Sequence, residues 1–150
     1  MPKVLISDKL SPRAATIFEA NGICVDVDTG LSPYELKAII ADYDGLAIRS
    51  ATKVTVDILN AATNLKVIGR AGIGTDNIDI AAATKRGVIV MNTPHGNAIT
   101  TAEHAITMML SLARQIPDAN ESTKAGKWEK SRFMGTEITE IGRASCRERV

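Results

Sequence analysis

Short apolar runs alternate with amphipathic stretches over the first 96 residues. The apolar runs have the length and composition of buried strands and cover residues 3–7, 23–27, 46–49, 66–70 and 88–92. The stretches between them place apolar residues at helical spacing and cover residues 11–22, 32–43, 55–63 and 79–87. Alternation of this kind predicts right-handed crossovers and a parallel sheet with helices on both faces. We therefore predict an α/β domain over residues 1–96, a flavodoxin-like doubly wound parallel sheet.

Local signals mark where the predicted helices begin and end. Ser11 and Ser32 each stand directly before a proline, a pattern typical of a helix N-cap followed by the first turn. Asp79 is expected to open the helix of residues 79–87, and Gly22 and Gly87 are expected to end two of the helices.

A different pattern begins after residue 96. Residues 98–116 form a long helix pattern that is apolar on most faces, which is typical of a helix buried between larger parts. Pro117 is expected to kink or end it. Residues 118–135 are mainly polar, with Trp128 and Phe133 as the only large aromatic side chains, and they predict an exposed arm that needs another surface to cover Trp128. We treat residues 97–139 as one region, a long interdomain helix and its arm.

Composition narrows the class of protein. The chain has 150 residues, a formal net charge of +1 and 45% apolar residues, which fits a globular domain and not a nucleic-acid-binding protein with a clustered basic face. No apolar run approaches the roughly 20 residues of a membrane span. Cys24 and Cys146 give neither a disulfide framework nor a metal-ligand spacing. With no basic-then-apolar leader at its start, the chain is expected to be cytoplasmic.

The last eleven residues break the pattern. Residues 140–150 read EIGRASCRERV, without periodicity or turn chemistry, and resemble the translation of a common sequencing adapter. We expect this tail to be non-native and unpacked; a basic tail is the alternative.

The glycine pair in VIGRAGIGTDN (residues 67–77) invites comparison with a dinucleotide-binding fingerprint. Such a fingerprint needs a third glycine, but Asn77 stands in its place, and no suitable carboxylate follows about 20 residues later. Gly72 and Gly74 still follow a predicted parallel strand, where backbone N–H groups can approach an anion closely. The pattern therefore predicts an anion site and not a dinucleotide site.

Two arginines are expected at the same edge of the sheet. Arg49 and Arg70 end the third and fourth predicted strands, and a guanidinium offers a bidentate fork to carboxylate or phosphate. The alternative is that each arginine pairs with a nearby acid, and the candidates are Asp44, Asp76 and Asp79.

A phosphate-receiver module is excluded by the residues at the strand ends. That module needs an acidic pair, an aspartate and a lysine where this chain has Asp8 alone, Arg49 and Asn92. The two histidines, His95 and His104, have no acid placed to form a proton-transfer pair.

Five motifs together resemble the D-isomer-specific 2-hydroxyacid dehydrogenases. They are RSATKVT (49–55), VIGRAGIGTDNID (67–79), VMNTPHGNAITTAEHA (90–105), LARQIP (112–117) and GKWEKSRFMGTEI (126–138). The last motif is more particular to the members that oxidise 3-phosphoglycerate with NAD at the start of serine synthesis. The resemblance runs from Lys3 to Thr139.

The resemblance implies roles for individual residues. The positions matched to the substrate site are Arg49, Ser50, Arg70, Gly72, Ile73 and Gly74, the last three forming the loop that holds the substrate carboxylate. Ile73 and Thr101 match positions that touch the cofactor. Trp128 and Lys130 match an arm that reaches a neighbouring subunit, so a homo-oligomer through residues 97–135 is expected.

The resemblance also implies what lies beyond this segment. In the family, the Rossmann cofactor domain with its true glycine fingerprint follows, and the catalytic arginine, glutamate and histidine come later still. We therefore expect the N-terminal part of an NAD-dependent enzyme, without catalytic residues or a metal site, and inactive alone. Two alternatives stay open: a dehydrogenase for another D-2-hydroxy acid, and a corepressor-like dinucleotide-sensing protein of the same superfamily.

Overall fold

The computed structural model describes residues 1–138 and divides into two compact units, the first spanning Met1–Asn97 and the second beginning at Ala98. The first unit contains five parallel strands: β1 (Lys3–Ile6), β2 (Cys24–Val27), β3 (Gly45–Ile48), β4 (Val67–Arg70) and β5 (Ile89–Asn92). Four helices connect them: α1 (Arg13–Ala20), α2 (Pro33–Ile39), which a 3₁₀ turn (Ile40–Asp42) extends, α3 (Val56–Ala61) and α4 (Ile80–Lys85).

The strand order is β2-β1-β3-β4-β5, with every neighbouring pair parallel. This is the flavodoxin-like order, so the predicted fold class is confirmed. Ile48 of β3 pairs with Arg70 of β4, and Arg70 pairs with Asn92 of β5. The three strands therefore end at the same level, and the residues that follow them emerge side by side at one edge.

Side chains alternate between two cores, one on each face of the sheet. Leu5 contributes to the larger core, together with buried residues of α2, α3 and α4. Its neighbours Val4 and Ile6 point to the other face, where α1 covers a smaller core. All four residues of β3 are buried, as expected for the central strand of a sheet covered on both sides.

The two Ser-Pro pairs behave differently. Ser32 is the N-cap of α2 and forms a capping box: its hydroxyl accepts from the Glu35 N–H, and the Glu35 carboxylate accepts from the Ser32 N–H at 2.8 Å. The predicted N-cap role of Ser11 is wrong, because α1 starts one residue later, with Pro12 as N-cap and no side-chain cap bond. No glutamate stands three residues after Ser11 to close a box.

The predicted bounds of the helix at residues 79–87 are confirmed. Asp79 is the N-cap of α4, and its carboxylate accepts from the Ala82 N–H at 2.8 Å. Gly87 follows the last turn with φ of +71°, a conformation that L side chains rarely adopt.

The second unit contains α5 (Ala98–Ala113), α6 (Ile116–Lys124) and a 3₁₀ turn (Lys130–Phe133). The long helix ends at Ala113, three residues before the predicted bound. Gln115, just beyond its end, has a left-handed backbone conformation (φ 53°). Pro117 lies in the first turn of α6, where its missing N–H costs nothing. The exposed arm predicted over residues 118–135 therefore begins as a helix up to Lys124, an element that the sequence pattern did not predict.

The apolar faces of α5 are exposed within the described chain, contrary to the burial that the pattern predicts. No residue of α5 is buried, and the large exposed side chains are Ile99, Ile106, Met108, Met109, Leu110 and Leu112. Trp128 is 84% exposed. Side chains of this kind normally acquire a covering surface.

Candidate anion-binding site

A cleft of about 580 Å³ lies at the edge of the sheet where β3, β4 and β5 end. The residues that line it are Arg49, Ser50, Arg70, Ala71, Gly72, Ile73, Gly74, Asp76, Thr93, Gly96 and Asn97. All of them belong to the first unit. Ligands of open parallel sheets bind at this edge, beyond the carboxyl ends of the strands.

Arg70 is held against the glycine loop. Its side chain is only 11% exposed, and its Nε donates to Oδ1 of Asn77 at 2.8 Å. A Cβ built on Gly72 would lie 2.6 Å from Arg70 Nη1, and one built on Gly74 would lie 3.6 Å from the same atom. The guanidinium therefore occupies space that a larger side chain at position 72 would take.

The loop that follows β4 is fixed from the neighbouring strand. The Thr93 N–H donates to the Gly72 carbonyl at 3.0 Å, and Asn92 Nδ2 donates to the Ile73 carbonyl at 2.7 Å. Neither the Ile73 N–H nor the Gly74 N–H donates to an acceptor among residues 1–138. Two free backbone donors thus stand beside a guanidinium, a combination suited to an anion.

Arg49 is fixed through its backbone and not through its side chain. Its N–H donates to Oδ2 of Asp8 at 2.6 Å, and its carbonyl accepts from Nδ2 of Asn77 at 2.7 Å. The residue is exposed, and its guanidinium forms no ion pair within the part of the chain that the structure describes. Its charge is therefore available to a ligand.

Asp8 organises the segment after β3. Besides the Arg49 N–H, its carboxylate accepts from the Thr52 N–H at 3.1 Å and from the Thr52 hydroxyl at 2.7 Å. Ser7 Oγ lies 3.0 Å from the same hydroxyl. Burial disfavours the charged carboxylate, but these hydrogen bonds outweigh it, so the pKa of Asp8 lies below its usual value.

The alternative in which nearby acids neutralise the arginines receives little support from the distances. Asp44 accepts instead from Lys66 Nζ at 2.8 Å and from the Lys3 N–H at 2.9 Å, and Asp79 caps α4. Asp76 is the acid beside Arg70, with Oδ1 at 3.9 Å from Nη2 and an 87% exposed side chain. That contact is a weak, solvent-screened ion pair.

The sequence-predicted residues fall into two groups. The six predicted substrate-binding residues all line the cleft, and they are Arg49, Ser50, Arg70, Gly72, Ile73 and Gly74. The other predicted residues lie in the second unit: Thr101 on α5, Trp128 before the 3₁₀ turn and Lys130 at its first position, all three exposed. The roles of both groups stay predictions.

Sequence reasoning missed the supporting role of Asp8, Thr52 and Asn77. One signal was available for Asp8, which directly follows the first strand and so lies at the edge where ligands bind. Asn77 gave no signal beyond standing in the place of a glycine, because the two carbonyls to which its amide donates, those of Thr52 and Arg49, lie 25 and 28 residues away in the sequence.

Residues 1–138 contain neither a cluster of metal ligands nor a membrane-spanning helix. No group of three or more His, Cys, Asp or Glu side chains within residues 1–138 is placed to hold a metal ion. Over the same residues, no helix has the length and apolar character needed to cross a membrane.

A family model and individual relatives both assign this chain to the same protein family. The model of the catalytic domain of D-isomer specific 2-hydroxyacid dehydrogenases matches residues 4–148. The D-3-phosphoglycerate dehydrogenase of Archaeoglobus fulgidus is 52% identical over 136 residues, and that of Homo sapiens is 53% identical over 136 residues. Each match covers 91% of this chain and 26% of the relative.

A solved structure of similar fold comes from Entamoeba histolytica, a 3-phosphoglycerate dehydrogenase with bound NAD⁺. It is 32% identical, with a TM-score of 0.67, and the match covers 75% of this chain and 39% of that one. The chain thus spans about a quarter of the length of the two curated relatives.

Proposed function

Because this chain belongs to the D-isomer specific 2-hydroxyacid dehydrogenases, we propose that it is the N-terminal part of an NAD-dependent enzyme that oxidises 3-phosphoglycerate to 3-phosphohydroxypyruvate. The reaction belongs to serine biosynthesis, in the cytoplasm. One observation carries the proposal: Arg49, Arg70 and the free N–H groups of Ile73 and Gly74 meet at one cleft. The curated relatives named for this reaction support the choice of substrate.

The proposed substrate carries two anionic groups, a carboxylate and a phosphate. In the proposal, the Gly72–Gly74 loop and Arg70 bind the carboxylate beside the hydroxyl that is oxidised. Arg49, whose side chain is exposed at the cleft, attracts the anionic substrate and orients it. Charge-assisted hydrogen bonds of this type are about twice as strong as neutral ones. Because an arginine can form two parallel bonds to a carboxylate or phosphate, they also fix the orientation of the substrate.

NAD, when bound, accepts the hydride. Ile73 offers an apolar side chain, 41% exposed, that suits the face of a nicotinamide ring, and Thr101 is the second proposed contact. The cleft lining contains no histidine, so proton transfer is assigned to residues outside this segment. The 150-residue chain alone is accordingly expected to show no NAD-dependent turnover.

A chimeric enzyme tests the proposal. Residues 1–138 are joined to the part of the Archaeoglobus fulgidus relative that follows the matched segment, and NADH formation is followed at 340 nm. We expect turnover with 3-phosphoglycerate, and none from the 150-residue chain. Turnover with D-lactate or another D-2-hydroxy acid but not 3-phosphoglycerate would move the chain to another dehydrogenase. NAD binding without turnover of any hydroxy acid would favour a corepressor-like sensor.

We also propose that the enzyme is a homo-oligomer through residues 97–135. The exposed apolar side chains of α5 and the exposed Trp128 support this, since a second subunit is the surface that would cover them. Light scattering on the chimera is expected to give a mass of at least two chains. Trp128→Ala should shift it towards one chain, whereas Tyr34→Ala, an equally exposed aromatic on α2, should not. A monomeric chimera would contradict the proposal.

A further inference from the structure

We propose that Asn77 is a positioning residue that holds the guanidinium of Arg70 and the segment carrying Arg49 in one rigid arrangement for an anionic ligand. The inference rests on the proposed function only for the identity of that anion.

Three hydrogen bonds carry the proposal. Oδ1 of Asn77 accepts from Arg70 Nε at 2.8 Å. Nδ2 donates to the carbonyl of Arg49 and to that of Thr52, both at 2.7 Å. One side chain therefore joins the end of β4 to the segment after β3.

The orientation of the amide follows from its partners. A side-chain amide has one acceptor oxygen and two N–H donors, and here two backbone carbonyls take both donors. The oxygen must then face Arg70 Nε, which is a donor. An aspartate at this position would keep the acceptor but place an anionic oxygen opposite two carbonyls, and alanine would leave all three partners unpaired.

The anchor itself is held in place. The Val54 N–H donates to the Asn77 carbonyl at 2.8 Å, and residues 54 and 78 form an isolated parallel bridge. The segment after β3 thus fixes both the backbone and the side chain of Asn77, and Arg70 at the end of β4 is the third side-chain partner.

Using Nε for this bond leaves the two terminal nitrogens of Arg70 for a ligand. Nη1 lies against the Gly72–Gly74 loop, and Nη2 is 3.9 Å from Asp76, beyond hydrogen-bond distance. A free arginine side chain loses rotamer entropy when it is immobilised. Because Asn77 has already immobilised Arg70, ligand binding incurs less of that cost.

The test measures anion binding to the 150-residue chain by NMR, through the backbone N–H signals of Ile73 and Gly74 during titration with 3-phosphoglycerate. The Nε–Hε signal of Arg70 is followed as well wherever the arginine is present. Parallel titrations use inorganic phosphate and D-lactate. The variants are Asn77→Ala, Asn77→Asp, Arg70→Ala and the double variant. Asn64→Ala is the matched control, because Asn64 Nδ2 also donates to a backbone carbonyl, that of Ala41 at 2.7 Å, away from the cleft.

We expect the wild-type Hε to exchange slowly and to shift on titration. Asn77→Ala and Asn77→Asp should each weaken binding at least tenfold, and Asn64→Ala should leave it unchanged. The loss in the double variant should be smaller than the sum of the two single losses, since Asn77 acts in part through Arg70. A purely structural asparagine would give additive losses and would contradict the proposal.

Other outcomes also decide the matter. Binding by Asn77→Ala equal to that of Asn64→Ala would overturn the inference. Fast exchange of the Arg70 Hε proton in the wild-type chain would also overturn it, and this measurement does not depend on the folding of any variant. The absence of an NMR shift with all three anions would overturn it as well. If the anions bind in an Asn77-dependent way but the chimera does not oxidise 3-phosphoglycerate, the proposed function fails and the role of Asn77 stands.

Discussion

Gly72 and Arg70 share one space: a Cβ atom on Gly72 would lie 2.6 Å from Nη1 of Arg70, inside the 3.0 Å limit that real Cβ atoms respect. The backbone of Gly72 needs no left-handed conformation, so close approach is the reason for a glycine here. Asn77 holds the guanidinium on its other side, which limits how far Arg70 can retreat.

Gly72→Ala is therefore expected to displace the Arg70 guanidinium while the domain stays folded. In the chimera, KM for 3-phosphoglycerate should rise at least tenfold and Tm should change by only a few degrees. Gly69→Ala is the control, because a Cβ at that position meets nothing within 4 Å. Equal KM and kcat values for the two variants would show that the Arg70 guanidinium can move away from the new Cβ atom without weakening substrate binding.

Replacement of either arginine should weaken substrate binding. A hydrogen bond to a charged group contributes about 1.5–3 kcal/mol, so Arg49→Ala and Arg70→Ala should each raise KM by about one to two powers of ten. Lysine should not restore binding fully, since an ammonium lacks the planar fork. Arg86→Ala, which loses only a 3.4 Å contact to Asn60, is the control for steady-state kinetics.

Thermal melting separates the two arginines further. Arg49 is exposed and its side chain has no protein partner among residues 1–138, so Arg49→Ala should leave Tm unchanged. Arg70 is largely buried and bonded to Asn77, so its loss should cost about 1 kcal/mol. Unchanged KM in both variants would show that neither arginine contributes to substrate binding.

Asp8→Asn should destabilise the first unit. The amide keeps only one acceptor oxygen, so its NH₂ group would face the backbone N–H of Arg49 or of Thr52, at a cost of about 1.5–3 kcal/mol near neutral pH. Because the pKa of Asp8 is lowered in the folded state, its contribution is complete above the unfolded pKa, about 4, and is lost as pH falls through the lower folded value.

Urea unfolding at several pH values checks this dependence. The difference between wild type and Asp8→Asn should be constant from pH 7 to pH 5 and shrink below about pH 4. Asp28→Asn, an exposed aspartate after β2, should track the wild type throughout. A difference that grows on acidification would contradict the proposed cause.

The two Ser-Pro pairs give a matched prediction on stability. Ser32→Ala removes the hydroxyl that caps α2 and should cost about 1 kcal/mol. Ser11→Ala should cost only a few tenths, because the Ser11 side chain makes no cap bond to α1. Denaturant midpoints of the two variants measure the difference directly. Equal losses of stability in the two variants would show that the capping box contributes nothing measurable to the start of α2.

Local sequence patterns were sufficient wherever the cause was local. The capping box of Ser32 and Glu35 spans three residues, and Asp79 reaches its partner Ala82 over the same distance, so both helix starts could be predicted. Ser11 was mispredicted because it shares the Ser-Pro pair but not the glutamate that closes the box. The helix of residues 116–124 was not predicted, because its polar composition gives no apolar periodicity and Pro117 was interpreted only as the end of the preceding helix.

Sequence patterns were enough to predict the alternation of strands and helices, the parallel sheet, and the position of Arg49 and Arg70 at one edge. These follow from periodicity and from the rule that parallel strands end together. The hydrogen bonds that hold this edge could be found only in the folded chain. Asp8 reaches Thr52 over 44 residues and Asn77 reaches Arg49 over 28, and no local pattern encodes hydrogen bonds between segments that meet only after the sheet has formed.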